Sequence, residues 1–177
     1  MPYSNISEPI FSQNVFIKYE ELVLAKVFKG LHVSVVSYRG AGVPFEFKFM
    51  LDNLSDTEFS IEQNKRVFVW LDASLLITDE SGAYKRAVSY LNLSDFPFEN
   101  EIKVIIKHLN SSELVSYGEF AALISSISIN QKVTIILKNF GSTVSLNGTA
   151  RLKGIKLLSS LLDINKSSIS YVFLCDR

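Results

Sequence analysis

Polar and apolar residues alternate along many short stretches of this chain, and that period of two predicts extended strands. In FEFKFML, Phe45, Phe47, Phe49 and Leu51 fall on one side, with Glu46 and Lys48 on the other. LHVSVVSY repeats the pattern with Leu31, Val33 and Val35, and EIKVIIK with Ile102, Val104 and Ile106. Further strands are predicted at 15–19, 22–28, 66–71, 83–91, 132–138, 143–146, 149–155 and 169–174, all rich in β-branched or aromatic residues. Turn-forming stretches punctuate them: RGAGVP at 39–44, DNLSD at 52–56, DESG at 79–82, and Asn147-Gly148 as a tight hairpin turn. The expectation is an all-β fold, a β-sandwich (immunoglobulin-like or jelly-roll) of about 8–10 short strands.

One stretch departs from this pattern. Ser116 and Glu119 have the spacing of a capping box, and Phe120, Leu123, Ile124 and Ile127 follow at helical intervals. A short amphipathic helix is expected near 117–126, lying as a lid over apolar core. GIKLLSSLLDI (154–164) reads equally as a second short helix or as a strand. No fixed-period repeat or low-complexity linker divides the chain, so residues 1–177 read as a single domain, with 1–13 as an extended N-terminal arm.

Composition narrows the function classes. The chain has 177 residues, 47% of them hydrophobic, and 18 Lys+Arg against 18 Asp+Glu. A chain of this length buries roughly 70% of its unfolded surface and needs no metal or disulfide to fold. Zero net charge gives no strong nucleic-acid signal, because phosphate neutralisation normally shows as a basic excess. No apolar run suits a bilayer span, and MPYSNISEPIFSQ lacks the features of a secretory signal. A cytoplasmic or intracellular location is therefore expected, and export only if a signal was removed. Six N-x-[ST] sequons, at Asn5, Asn53, Asn92, Asn110, Asn147 and Asn165, would be glycosylation acceptors only in an exported protein.

Candidate chemistry is sparse. His32 and His108 have no neighbouring spacing that nominates a nucleophile or an orienting carboxylate. Cys175 is the only cysteine and reads as a small apolar side chain. RGAG at 39–42 lacks the GxxxxGK[ST] pattern and reads as a turn with no following helix. Phe96 and Phe98 form a candidate loop contact patch. No catalytic residue, metal site or cofactor is expected.

Charge is unevenly spread along the chain. Residues 102–162 carry seven basic and two acidic side chains, whereas 1–101 carry nine basic and fourteen acidic. The expected positive surface is Lys132, Lys138, Arg151, Lys153 and Lys156; the negative surface is Asp52, Asp56, Glu58 and Glu62. Complementary patches on one molecule support head-to-tail contacts.

KGLHVSVVSYRGAGVPFEFKFMLDNLSDTEFSIEQNKRVFVWL resembles the front of the late-embryogenesis-abundant, water-stress-type β-sandwich domain, and KVTIILKNFGSTVSLNGTARLKG is similar to its closing hairpin. The resemblance spans residues 26–157 and implies a non-catalytic protective or binding module. From the residues themselves, the expected role is a non-enzymatic structural or protein-binding module, a self-associating subunit of a virus, phage or other particle. Its partner would be itself as a homo-oligomer, or another protein subunit. The alternative is a stress-protective or small apolar-ligand-binding β-sandwich protein.

Overall fold

The computed structural model describes residues 22–37, 42–52, 66–94, 96–141, 148–164 and 167–176. In chain order these form α1 (22–28), β1 (Val33–Ser37), α2 (Val43–Asp52), β2 (Arg66–Asp72), α3 (Ala73–Thr78) and α4 (Glu80–Leu93). There follow α5 (Asn100–Ser111), α6 (Tyr117–Asn130), β3 (Lys132–Lys138), α7 (Gly148–Leu162) and β4 (Ile169–Asp176). The four strands make one sheet in the order β1-β4-β3-β2, and every pairing is parallel. Parallel strands require crossover connections, and helices supply them here.

The architecture is a three-layer α/β sandwich. Val67, Val69, Leu71, Val133, Ile135, Leu137, Ile169 and Tyr171 face the layer built from α3 to α7. The intervening residues Phe68, Trp70, Ile136, Val172 and Leu174 face α1 and α2. Since both faces are covered, Val133–Leu137 is buried without a break, the signature of a central parallel strand.

The expected all-β sandwich, immunoglobulin-like or jelly-roll, is therefore overturned, and the resemblance to the water-stress-type β-sandwich domain falls with it. Strands predicted over 31–38, 66–71, 132–138 and 169–174 coincide with β1 to β4, although β2 runs on to Asp72 and β4 to Asp176. Those predicted at 22–28, 45–51, 83–91, 101–107 and 149–155 lie in helices. The alternation of FEFKFML misled for a geometric reason. At 3.6 residues per turn Phe45 and Phe49 share a helix face, exposed by 76% and 60%, while Phe47 points inward at 1%. In α4 the buried residues Ala83, Tyr84, Ala87, Val88 and Leu91 follow the helical period. The strands predicted at 15–19 and 143–146, Asn147 of the predicted hairpin turn and most of DNLSD lie outside the described residues. Gly148 opens α7 with a positive φ of 63°.

Local chemistry explains the element boundaries. DESG does not turn a hairpin. Asp79 caps α4, its carboxylate accepting from the Gly82 amide at 2.9 Å. The expected helix over 117–126 is present and runs on to Asn130. Its capping box is closed: the Ser116 hydroxyl accepts from the Glu119 amide at 3.3 Å, and a Glu119 carboxylate oxygen accepts from the Ser116 amide at 2.8 Å. The Ser116 amide, and the Ser116 hydroxyl donating to the same carboxylate oxygen at 2.7 Å, hold the Glu119 carboxyl below its ordinary range. The stretch 154–164 takes the helical alternative, as the end of α7. That end is tied down by two tyrosines: Tyr117 donates to the Ser160 carbonyl and Tyr171 to the Leu161 carbonyl, each at 2.6 Å.

Candidate functional site

In a parallel α/β sheet, ligands bind beyond the C-terminal ends of the strands. Two features occupy that edge. The first is the start of α2, where Gly42, five residues beyond the end of β1, takes a positive φ of 74° and its carbonyl accepts from the Phe45 amide at 2.9 Å. A helix does follow the RGAG glycines, contrary to the expectation of a bare turn. A strand, a glycine turn and a helix N-terminus form the frame that cradles phosphates in nucleotide-binding folds. The groups that would handle phosphate are missing from the sequence: Val43 and Pro44 follow Gly42, where that pattern requires Lys and Ser or Thr. Nor does β3 end in a carboxylate that could hold a magnesium ion. Its last residues are Leu137 and Lys138, followed by Asn139.

The second feature is a cavity of about 220 Å³ over the ends of β2 and β3, bounded by α2, α3 and α4. Trp70 and Leu75 contribute to its lining, as do Phe45 and Lys48 of α2 and Arg86 and Tyr90 of α4. Asp72 and Lys138 close the strand end. The spacing of each helical pair is what brings it to one place: three residues separate Phe45 from Lys48, and four separate Arg86 from Tyr90. Trp70 is braced from behind by Phe47, the two rings meeting edge to face at 6.3 Å.

Asp72 is fully engaged. One carboxylate oxygen caps α3, accepting from the Ser74 amide at 3.1 Å, the Ser74 hydroxyl at 2.6 Å and the Leu75 amide at 3.3 Å. The other accepts from Asn139 Nδ2 at 3.0 Å and pairs with Lys138 Nζ at 3.4 Å. Desolvation pushes the Asp72 carboxyl up, but the bonds from Ser74, Asn139 and the Leu75 amide, with the Lys138 charge, outweigh it and hold it below the ordinary value. Asn139 turns toward this carboxylate from a left-handed conformation, φ 57°.

No protein-family model and no curated protein matches the chain. Among solved structures the chain is similar to the ORC1 protein of Aeropyrum pernix, solved in complex with DNA. The TM-score is 0.56 at 15% identity, over 97% of this chain and 40% of that one. The likeness is one of fold. It agrees with a parallel α/β sheet and disagrees with a β-sandwich. This chain spans well under half the length of that structure.

The expected patch residues are dispersed on this frame. Lys132 and Lys138 stand at opposite ends of β3, about 20 Å apart at strand spacing. Arg151, Lys153 and Lys156 lie on α7, all exposed, and Lys153 donates to the Ile77 carbonyl at 2.8 Å, satisfying the end of α3. Asp52 ends α2; its side chain, and all of Asp56, Glu58 and Glu62, lie outside the described residues. Of the five whose side chains are described, only Lys138 reaches the cavity. His32 is exposed, and its Nδ1 accepts from the Tyr171 amide at 3.2 Å. His108 is exposed in the last turn of α5. Cys175 is half-buried in β4. Phe96 and Phe98 contact each other at 4.8 Å and pack into the core, Phe98 fully buried. No group of three potential metal ligands and no helix long and apolar enough to cross a membrane occurs among the described residues. Sequence reading missed Lys48, Arg86, Trp70 and Tyr90 as neighbours, because only helical spacing combined with the parallel crossover brings them together.

Proposed function

We propose that this chain is a non-hydrolytic binding module: an ORC1-like α/β scaffold that serves as a protein-binding subunit of a larger assembly. The observation that carries this reading is the start of α2. A glycine with positive φ precedes the α2 N-terminus, as in a phosphate cradle, but the sequence has Val43-Pro44 in place of the cation and hydroxyl that bind phosphate and metal. Lys138-Asn139 after β3 in place of a carboxylate supports the same conclusion.

The surface supports a protein partner. Leu152, Ile155 and Leu162 share one side of α7 at helical spacing and are exposed by 63%, 51% and 44%. An apolar stripe of this kind marks an interaction surface more often than an idle one. Among the described residues, the basic side chains of 102–162 are spread over α5, α7 and both ends of β3.

Phosphate release from magnesium–ATP, with and without duplex DNA, tests the reading. The expected rate equals that of buffer alone in both cases. Saturable hydrolysis that disappears on substitution of Gly42 would overturn it. Sedimentation of the wild type against a Leu152→Ser, Ile155→Ser variant tests the partner surface, self-association of the wild type being lost in the variant.

A further inference from the structure

The cavity at the ends of β2 and β3 has its own chemistry, independent of the non-hydrolytic reading. Trp70, Phe45 and Tyr90 present aromatic surface to it, and the Phe45 and Tyr90 rings are exposed by 76% and 54%. Exposed aromatic groups around a concave site are unusual on a surface that binds nothing. Three cations reach the same space, and they are not equivalent. Lys138 is compensated by Asp72, whose oxygens are already committed to five donors. Lys48 and Arg86 form no ion pair among the described residues. Among the described residues neither has a carboxylate partner, and both stand beside three aromatic rings.

We propose that this cavity binds a small organic anion built on a planar ring. The ring stacks against Trp70 between Phe45 and Tyr90, and the anionic group meets the Arg86 guanidinium and the Lys48 ammonium. The size supports this class. Drug-sized ligands occupy roughly 300–1,000 Å³, whereas about 220 Å³ suits one ring system with one charged substituent. The site is also preorganised, since Phe47 fixes the Trp70 ring and Asp72 fixes Lys138.

Trp70 is the only tryptophan in the chain, so its emission reports on the cavity alone. The experiment titrates phenyl phosphate, inorganic phosphate and benzyl alcohol separately against the full chain. Phenyl phosphate is expected to change Trp70 emission saturably, with affinity at least about tenfold tighter than either control, which carries only the charge or only the ring. Arg86→Gln and Lys48→Gln each weaken that affinity by about tenfold, and added salt weakens it further. Lys103→Gln, on α5 away from the cavity, leaves it unchanged. Both cavity cations are exposed, so their variants keep the wild-type far-ultraviolet circular dichroism. The proposal is overturned if phenyl phosphate gives no saturable response, if either control binds equally well, or if both cation variants retain full affinity. None of these outcomes bears on ATP hydrolysis, so this proposal and the functional reading fail separately.

Discussion

Among the described residues, Arg66 is the largest side chain that the fold buries almost completely, with 2% of its surface exposed. Its guanidinium donates to Thr134 Oγ1 at 2.9 Å, Ser170 Oγ at 3.2 Å and the Phe28 carbonyl at 3.1 Å, and it lies 5.6 Å from the centre of the Phe28 ring. One planar fork thus joins β2, β3, β4 and the end of α1. The three hydrogen bonds from its terminal nitrogens offset much of the cost of burying a charged group. Arg66→Ala takes the donor from the buried Phe28 carbonyl and leaves the Thr134 and Ser170 hydroxyls to each other, 2.9 Å apart, and a loss on the order of 3 kcal/mol is expected in urea unfolding. Arg66→Lys should recover less than half of it, since an ammonium lacks the fork. None of this was legible beforehand. Arginine is usually a surface residue, and an alternating pattern gives a side chain's face, not its depth. Tyr171 has a similarly hidden role. Burial pushes its hydroxyl up to about 12, and the proton it keeps is the one donated to the Leu161 carbonyl. The folded state therefore favours the protonated form. This contribution is complete below the unfolded value near pH 10 and is lost as pH rises toward 12. Tyr171→Phe should cost about 1 kcal/mol at neutral pH, and its stability should fall less steeply than the wild type's between pH 10 and 12, as measured by alkaline denaturation.

At the scale of elements, α2 shows where period-based reading breaks down. Four apolar residues at alternate positions satisfy a strand, and the same four on a helix divide between two faces. Capping chemistry resolves such cases more reliably than alternation does: the Ser116 and Glu119 pair located α6 correctly because its hydrogen bonds exist only in a helix. No comparable pair precedes α2, so nothing in its sequence contradicted the strand. The two geometries make opposite predictions. In a half-buried strand Phe45→Ala and Phe47→Ala would cost similar amounts. In α2, Phe47 contacts Trp70 inside the core, whereas Phe45 is largely solvated. Phe47→Ala should destabilise by about 3–5 kcal/mol and Phe45→Ala by no more than about 0.5 kcal/mol in equilibrium unfolding. Equal losses would return residues 45–51 to a strand. The cavity inherits this dependence, since Phe45 and Lys48 reach it only when α2 is helical.

At the scale of the whole molecule, the four sheet strands were recoverable from sequence but their mutual arrangement was not. Antiparallel hairpins and parallel crossovers use the same β-branched residues. The discriminating signal was the unbroken burial of Val133–Leu137, which marks a strand covered on both faces. Parallel order also predicts how the sheet comes apart. Strand β3 pairs along its length with β2 and over five residues with β4, and its side chains enter both cores. Strand β1 has only β4 beside it among the described residues, spans five residues and contributes to the smaller core alone. Opening β1 exposes one face of one short strand, whereas opening β3 splits both layers. In native-state hydrogen exchange the amides of Val133–Leu137 should therefore open only with global unfolding, and those of Val33–Ser37 should exchange at least about tenfold faster. If β1 amides were as slow as those of β3, the sheet would need a further partner strand on its β1 side, and the order β1-β4-β3-β2 would describe only part of it.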